Sequence, residues 1–210
     1  RAINRHLYGL FLDMGRGKAH ISSAIIAHLR HYNKAHKVLL ISSNIGAANM
    51  VHELLKFMYI DPEEIICMTK VGKDRELFKN EKSIVITNYN TFRNICNYYY
   101  DKSHPRKTIK QTDASGKQKN KKEPRKEFRS AVLPLQEWLG GQPGILLLDE
   151  SHSLADNSSQ QTKHMVHHLK FFEYRYLFTG TPADKNEKLY TQCKILDASL
   201  VHNLNYNQWC

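Results

Sequence analysis

Cysteine is scarce in this sequence and long apolar runs are missing, and each shortage excludes a class of protein. The four cysteines are scattered, with no CxxC pair, which argues against a disulfide framework and for reduced thiols. No apolar run reaches the roughly 18 residues that a membrane-spanning helix requires. The first residues, RAINRHLYG, lack the apolar core of a secretion signal. We therefore expect an intracellular protein with no membrane-spanning segment, although the sequence does not distinguish nucleus, cytoplasm and virion.

Histidine, by contrast, is abundant, with 12 in the chain. Three of them, His164, His167 and His168, fall in a predicted helix, and we place them on its polar face. No histidine has a metal-site spacing with cysteine or belongs to an HExxH pattern. The sequence therefore gives little support to a structural zinc site.

Positive charge is unevenly distributed along the chain. The formal net charge is +11, and residues 101–129 alone carry eleven Lys and Arg against four Asp and Glu, a surplus of +7. This segment also holds two prolines, a glycine and almost no apolar residues, so we expect a mobile, disordered insertion rather than a packed element. Such a run binds polyanions if the rest of the domain handles nucleic acid, and is otherwise a solvated loop.

Short apolar runs alternate with segments of helical periodicity through the rest of the chain. The predicted strands are Leu7–Asp13, Lys37–Ser42, Ile65–Met68, Ser83–Thr87, Ile145–Leu148 and Tyr174–Phe178. Buried strands that alternate with helices predict an α/β fold, a doubly wound and mainly parallel sheet with helices on both faces. We expect one such domain over residues 1–210, interrupted by the basic insertion.

The stretch Gly144–His152, GILLLDESH, is the centre of this pattern. Its apolar run predicts a strand buried on both faces of a parallel sheet, and Asp149 and Glu150 follow at the carboxyl end of that strand. Ligands of such sheets gather at the carboxyl ends. A carboxylate there is typical of a magnesium ion on nucleotide phosphates, and the next one is placed to polarise an attacking water. The alternative is a pair of solvated acids after an ordinary buried strand.

A candidate phosphate-binding loop lies between the first strand and a predicted helix. It consists of Gly15, Arg16, Gly17, Lys18, Ala19 and His20. Glycines allow backbone N–H groups to face phosphate, and the positive end of the helix dipole adds to the attraction. Lys18 would neutralise the outer phosphates.

Two residues depart from the full phosphate-loop pattern. Leu12 stands where the first glycine belongs, and Ala19 stands where a serine or threonine holds magnesium. A methyl group does not coordinate a cation, and Ser22 and Ser23, one turn further on, are poor substitutes. Ala19 therefore weakens the catalytic half of the motif and leaves the phosphate-binding half intact.

The order of the motifs resembles a known family. The segments are GLFLDMGRGKA, VLLISSN, SIVITNYNTFR, GILLLDESHSLAD and YLFTGTP. They resemble the first RecA-like motor domain of superfamily-two helicase-like ATPases, and are most similar to the Swi/Snf-type translocases of double-stranded DNA, including viral and phage members. The resemblance spans about residues 7–209 outside the basic insertion.

The resemblance implies a role for each motif. Lys18 and the backbone of Gly15–Gly17 would hold the β- and γ-phosphates of ATP. Asp149 would hold Mg²⁺ through water, and Glu150 would activate the hydrolytic water. The residues implied in coupling nucleotide state to nucleic acid are His152, Thr179, Gly180 and Thr181, and those implied in contacting double-stranded DNA are Ser43, Asn44, Asn88 and Arg93.

The same resemblance implies a partner domain. Family members need a second RecA-like lobe that closes over ATP and supplies arginine fingers. Only 28 residues follow the Thr-Gly-Thr-Pro turn, too few for another sheet domain, so we expect this chain to be part of a longer protein. Two functions remain open: the ATP-binding lobe of a DNA translocase or helicase, or a catalytically impaired scaffold for nucleic acid or protein, which Ala19 favours. A nucleotide kinase is a weaker third candidate, because the DESH strand and the Thr-Gly-Thr-Pro turn occur in the same chain, and this combination argues against a kinase.

Overall fold

The structure, a computed structural model, describes residues 6–13, 15–69, 77–103, 108–112, 118–122, 134–181, 186–201, 204 and 206–209. Its strands are β1 (Leu7–Phe11), β2 (Lys37–Ser42), β3 (Ile65–Met68), β4 (Ile84–Asn88), β5 (Thr108–Thr112), β6 (Gln118–Lys122), β7 (Gly144–Asp149) and β8 (Tyr174–Thr179). Its α-helices are α1 (Lys18–His31), α2 (Asn44–Phe57), α3 (Tyr89–Ser103), α4 (Leu135–Leu139), α5 (Gln160–His168), α6 (Asn186–Leu196) and α7 (Tyr206–Trp209). Short 3-10 helices span Pro62–Glu64, Ser151–Leu154, Leu169–Phe171 and Ala198–Val201. None of the helices described is long and apolar enough to cross a membrane.

Six of the strands form one parallel sheet, in the order β1-β8-β7-β2-β4-β3. β7 lies between β8 and β2, and its residues Gly144 to Leu148 are buried. This is the environment that its apolar run predicts, because a parallel strand covered on both faces has no solvent side. The predicted doubly wound α/β sheet is confirmed.

Alternate residues of the strands belong to two separate apolar layers. On one face of the sheet, α1 and α2 pack against residues such as Leu40, Ile86 and Leu147. On the other face, α3, α4, α5 and α6 pack against residues such as Leu39 and Leu148. Because successive residues of a strand face opposite sides, one continuous apolar run supplies both layers.

The start of β7 requires a glycine. A Cβ at Gly144 would lie 2.6 Å from Cδ2 of Leu139 and 2.9 Å from Cδ1 of Phe172, closer than packed carbon atoms come. α4 ends just before this point, and Gly140 and Gly141 both have positive φ in the turn that follows it. The close packing sets where β7 enters the sheet, and so where its carboxyl end leaves it.

Part of the basic segment 101–129 has regular structure. α3 continues to Ser103, and β5 pairs antiparallel with β6, with Thr108 opposite Lys122. The expectation of a disordered insertion is therefore wrong for these residues, because antiparallel pairing of two neighbouring segments satisfies their backbone groups without an apolar core. The other residues of the segment lie outside the described ones, and for them the expectation stays a prediction.

The histidines of α5 depart from their expected position. His164 and His168 are only 2% and 1% exposed, while His167 is half-buried. The prediction of a polar helix face is wrong for His164 and His168, because α5 packs against α3 through the side that carries these two residues. A histidine counts as polar in a periodicity pattern, so burial by a neighbouring helix leaves no signal there.

Candidate functional site

The carboxyl ends of the six parallel strands lie at one edge of the sheet. The residues that end these strands are Phe11, Ser42, Met68, Asn88, Asp149 and Thr179. The loop before α1 and the segment after β7 begin at the same edge, where ligands of parallel sheets bind. The fold therefore brings residues from several of the predicted motifs together.

Lys18 and Glu150 form an ion pair at this edge. The Lys18 Nζ lies 3.0 Å from Oε1 of Glu150, and the two side chains are only 12% and 20% exposed. Gly17 precedes Lys18 with a φ of 76°, a left-handed conformation that ends the loop and starts α1. Glu150 has a φ of 51°, which is uncommon for a residue with a side chain and clusters at functional sites. The cation of the loop and the second acid of DESH are thus direct neighbours.

Asp149 has one carboxylate oxygen that is engaged and one without a partner. Its Oδ2 accepts a hydrogen bond of 2.7 Å from the Ser42 hydroxyl. Its Oδ1 is buried and has no hydrogen-bond partner among the described residues. Burial raises the pKa of Asp149, while the Ser42 hydrogen bond opposes this shift and the charge of Glu150 adds to it.

These residues fit the phosphates of a nucleotide and its magnesium ion. Oδ1 of Asp149, a buried carboxylate oxygen without a hydrogen-bond partner among the described residues, is a ligand that a hard cation prefers. Gly15 and Gly17 both have a φ of 76°. Among the described residues other than each glycine and its chain neighbours, no heavy atom lies within 4 Å of the position that a Cβ would take, so the loop is open on that side.

One cation ligand of the loop is missing, as the sequence indicates. Ala19 has no side-chain oxygen, and the hydroxyls of Ser22 and Ser23 donate to the backbone carbonyls of Lys18 and Ala19, at 2.9 and 3.0 Å. Both serines are buried and hydrogen-bonded within α1. They do not replace the missing ligand.

The remaining two loop residues, Arg16 and His20, are exposed. The backbone N–H of Arg16 donates to the carbonyl of Asp13 at 3.3 Å, which tightens the turn. The ring of His20 packs on that of Phe57, with centroids 4.5 Å apart. Contact of Arg16 and His20 with a phosphate stays a prediction.

The residues implied in coupling form a connected set. Nδ1 of His152 lies 3.0 Å from Oγ1 of Thr179 and 3.3 Å from Oε2 of Glu150. The same Oγ1 accepts a hydrogen bond of 3.2 Å from the backbone N–H of Thr181, across Gly180. The turn after β8 is thus linked to Glu150 through one imidazole.

Two of the four predicted DNA-contacting residues are exposed at the carboxyl edge. Ser43 and Asn44 follow β2 directly and both are exposed. The Ser43 hydroxyl accepts a hydrogen bond of 3.1 Å from the backbone N–H of Gly46, so it caps α2. Ser43 therefore has a structural role whether or not it contacts DNA.

Asn88 and Arg93, the other two, are less accessible. Asn88 is 3% exposed, its Nδ2 donates to the carbonyl of Thr69 at 2.6 Å, and its Oδ1 accepts from the backbone N–H of Thr91 at 2.7 Å. The carboxamide is thus engaged at both ends in this conformation. Arg93 is half-buried in the first half of α3. The predicted DNA contacts of both residues stay predictions.

Sequence reasoning missed three residues that position Asp149. Besides Ser42, the Tyr89 hydroxyl donates to the Asp149 backbone carbonyl at 2.7 Å. Burial, and after it the charges of Asp149 and Glu150, raise the pKa of Tyr89 and keep its hydroxyl protonated. Gly46 is required because a Cβ there would overlap the Ser42 hydroxyl. Only Ser42 had a signal in the sequence, because it is a polar residue at the carboxyl end of a predicted strand.

Residues 4–184 match the family of the type III restriction enzyme, res subunit. The chain belongs to this family. The match includes the loop before α1, the DESH strand and the turn after β8. No curated protein matches the chain.

Three solved structures share the fold of this res-family domain. The SWI2/SNF2 ATPase core of Sulfolobus solfataricus in complex with dsDNA has a TM-score of 0.59 at 17% identity, over 97% of this chain and 34% of that one. The Hef helicase domain of Pyrococcus furiosus has a TM-score of 0.59 at 15% identity, over 93% of this chain and 34% of that one. The UvsW helicase of bacteriophage T4 has a TM-score of 0.53 at 13% identity, over 89% of this chain and 51% of that one.

The chain spans about a third to a half of the length of these three structures. At such identities the likeness shows the fold, which is the RecA-like one. Family and fold together make this chain a helicase-like motor domain of superfamily two. The resemblance seen in the sequence is confirmed at this level.

Proposed function

We propose that this res-family domain is the nucleotide-binding lobe of an ATP-dependent translocase on double-stranded DNA, and that it hydrolyses ATP only together with a second RecA-like lobe. The observation that carries the proposal is the 3.0 Å Lys18–Glu150 ion pair beside Oδ1 of Asp149, which has no hydrogen-bond partner in the part of the chain that the structure describes. A phosphate-binding lysine, a cation-binding acid and a second acid then share the ligand-binding edge of the sheet.

Nucleotide binding would change the partner of Lys18. Its ammonium exchanges Glu150 for the outer phosphates, while the loop N–H groups and the N-terminal end of α1 contact the same anion. Glu150, once released, hydrogen-bonds a water and accepts its proton as that water attacks. Mg²⁺, when bound, neutralises charge on the phosphates, with Asp149 as its protein ligand through water.

The imidazole of His152 would report this change to the rest of the domain. It lies between Oε2 of Glu150, at 3.3 Å, and Oγ1 of Thr179, at 3.0 Å. When Glu150 leaves Lys18, the hydrogen bonds of His152 shift with it, and the Thr179–Thr181 turn follows. This turn leads to α6, which is the route by which nucleotide state would reach the nucleic-acid side.

Double-stranded DNA is the proposed track. The similar SWI2/SNF2 core of Sulfolobus solfataricus is in complex with dsDNA. In this chain, the net charge of +11 favours a polyanion, and Ser43 and Asn44 are exposed at the carboxyl edge. Charge supplies most of such an affinity, so binding should weaken steeply with salt.

Ala19 favours a second candidate function, a catalytically impaired scaffold. The loop has no oxygen at the cation-ligand position, and neighbouring hydroxyls do not replace it. A scaffold would still bind nucleic acid or a protein, and it would bind nucleotide with little dependence on magnesium. The two candidates therefore differ in how magnesium affects nucleotide affinity.

The central test is a titration of a fluorescent ATP analogue with Mg²⁺ against the Lys18→Ala and Lys34→Ala variants. Lys34 is an exposed lysine beyond the other end of α1, so its replacement removes the same charge away from the loop. Loss of a charge-assisted bond of about 1.5–3 kcal/mol should weaken binding about tenfold or more in Lys18→Ala. Equal affinities in the two variants would contradict a phosphate-binding role for the loop.

A second test separates motor from scaffold. In Ala19→Thr, a restored cation ligand should tighten nucleotide binding only when Mg²⁺ is present, and EDTA should abolish the gain. If the affinity of Ala19→Thr stays that of the parent chain with and without Mg²⁺, the scaffold is the better description. DNA-stimulated ATP turnover by the 210-residue chain alone would contradict the need for a second lobe.

The basic segment is tested by the salt dependence of DNA binding. Replacing residues 104–129 with a short Gly/Ser linker leaves α3 intact and removes a surplus of +7. The slope of log affinity against log salt should flatten, by about 0.9 for each DNA phosphate that the segment neutralises. An unchanged slope would make the segment a passive loop.

A further inference from the structure

A buried group of side chains of the kind that bind metals lies between α3 and α5, away from the carboxyl edge of the sheet. Cys96 of α3 and His164 and His168 of α5 are 0%, 2% and 1% exposed. The Cys96 Sγ and one ring nitrogen of each histidine lie within 4.8 Å of one another. The two histidines are one helical turn apart, so they share one face of α5. We call these three residues the α3–α5 cluster.

His168 is the member that calls for a ligand. Both of its ring nitrogens are buried, and neither has a hydrogen-bond partner among the described residues. Buried polar groups without partners are rare, because they lose water and gain nothing in exchange. A neutral imidazole has one nitrogen with a lone pair, and a metal ion is the partner that such a buried nitrogen can bind.

The surroundings of the cluster resemble those of protein metal sites. Nε2 of His164 lies 3.2 Å from Oδ1 of Asn97, a contact that orients the imidazole ring. The rings of Phe92 and Phe171 lie 6.0 and 6.2 Å from that of His168, centroid to centroid, which makes an apolar wall. Burial also raises the pKa of the Cys96 thiol, so without a metal this sulfur is an unreactive thiol.

We propose that Cys96, His164 and His168 bind a structural Zn²⁺ ion that ties α3 to α5. One thiolate and two imidazoles are ligands that zinc prefers, and three protein ligands leave a fourth position for water. On binding, the Zn–S bond replaces the S–H bond of Cys96, and the proton goes to solvent. Ligand atoms of a tetrahedral zinc site lie about 3.3–3.6 Å apart, so side-chain movements of about 1 Å from the present spacing suffice.

The site would hold together the two segments that leave the nucleotide edge. α3 starts directly after β4, whose end lies beside that of β2, and α5 follows the 3-10 helix that begins after Glu150. A metal between α3 and α5 would therefore fix the layer behind the DESH segment. The proposed zinc site has soft ligands and would keep its ion. The proposed magnesium site has hard ligands, and its ion would enter and leave with each nucleotide.

The test is a Co²⁺ titration of the metal-stripped chain, because tetrahedral cobalt reports its ligands spectroscopically. We expect one equivalent to give a sulfur-to-cobalt charge-transfer band in the near ultraviolet and visible bands of tetrahedral cobalt, both abolished by added Zn²⁺. The assigning variant carries Cys67→Ser, Cys193→Ser and Cys210→Ser together, which leaves Cys96 as the only thiol. It should keep both bands, and their loss in this variant, or their absence from the parent chain, would overturn the proposal.

Two further variants identify the ligands. Cys96→Ser should lose the charge-transfer band, and His168→Leu should weaken Co²⁺ binding at least tenfold, while His167→Gln on the same helix should bind as the parent does. Zn²⁺ should raise the melting temperature of the parent chain and of His167→Gln, but not that of Cys96→Ser. A charge-transfer band that persists in Cys96→Ser would place the metal on another cysteine and overturn the assignment.

Discussion

The cluster at the sheet edge and the α3–α5 cluster each hold a buried polar atom without a hydrogen-bond partner among the described residues, yet the two clusters differ in charge and in exposure to solvent. The sheet-edge cluster, Lys18, Asp149 and Glu150, is charged, and its Lys18–Glu150 pair is 12% and 20% exposed. The α3–α5 cluster holds a neutral imidazole and an uncharged thiol, and all three members are 2% exposed or less.

The difference follows from where each cluster lies in the fold. The carboxyl edge of a parallel sheet is open to solvent, so water can stabilise charges there while a ligand comes and goes. The space between α3 and α5 is closed to bulk solvent at Cys96, His164 and His168, so an ion bound there would exchange slowly. The first arrangement suits turnover and the second suits a permanent ligand.

The largest expected difference is in how much an aromatic side chain near each cluster contributes to the free energy of unfolding. Phe92 is 1% exposed and its ring lies against His168 of the α3–α5 cluster, so Phe92→Ala should lower the free energy of unfolding by about 3–5 kcal/mol. Phe57 packs on His20 near the loop but is 39% exposed, so Phe57→Ala should cost less than about 1 kcal/mol. Urea unfolding of both variants in EDTA measures the difference, and equal losses would break the contrast between a dry and an open region.

A single methyl group should disturb the sheet-edge cluster. Gly46→Ala places a Cβ against the buried Ser42 hydroxyl, which then loses its hydrogen bond to Asp149. Alanine normally stabilises a helix by about 1 kcal/mol relative to glycine. We expect the opposite sign here, a loss of about 1–3 kcal/mol from overpacking. Urea unfolding gives the sign directly, and a gain would show that α2 has room at this position.

Removing the charge of Asp149 should stabilise the domain while it removes a cation ligand. The folded-state pKa of Asp149 is raised above its usual value, so the ionised carboxylate destabilises the fold above both pKa values. Asp149→Asn should therefore gain about 0.5–2 kcal/mol at pH 7. The gain should fade as the pH falls through the folded pKa toward the ordinary range of an aspartate, and Mg²⁺-dependent nucleotide binding should be lost.

Unfolding curves at several pH values, with a nucleotide titration at pH 7, check both parts. Glu53→Gln is a suitable control, because Glu53 is only partly buried in α2. If Asp149→Asn destabilises the fold at pH 7, Asp149 has a partner that offsets its burial.

The smallest expected effect concerns His168 without metal. In EDTA, His168→Leu should stabilise the domain by about 1 kcal/mol, because it removes two buried ring nitrogens that have no hydrogen-bond partner within the described ranges. With excess Zn²⁺ the order should reverse, since only the parent chain gains from the ion. His31→Leu, at an exposed position of α1, is the control. If His168→Leu destabilises the domain in EDTA, the ring nitrogens of His168 already have hydrogen-bond partners in the metal-free fold.

Much of the sheet was predictable because buried parallel strands are short apolar runs. β2 and β3 have the predicted bounds, β8 is one residue longer at its end, and β7 is one residue longer at each end. The sheet-edge residues Lys18, Asp149 and Glu150 were predictable for a related reason. Each belongs to a motif of neighbouring residues at a strand end, and all strand ends of a parallel sheet meet at one edge.

The hairpin of β5 and β6 was not predictable in this way. Composition indicates whether a segment can bury a core, and the basic segment has too few apolar residues for that. Pairing between two neighbouring strands depends on backbone hydrogen bonds, which composition does not record.

The sequence by itself determined the strands of the parallel sheet, the phosphate loop and the two acids at the end of β7, because these depend on residues close together in the chain. Only the tertiary structure decided which distant polar groups meet. Strand order places Ser42 of β2 against Asp149 of β7, and the packing of α5 on α3 buries His168 beside Cys96. Such contacts depend on how whole elements pack, and a periodicity pattern that scores serine and histidine as polar contains no information about their partners.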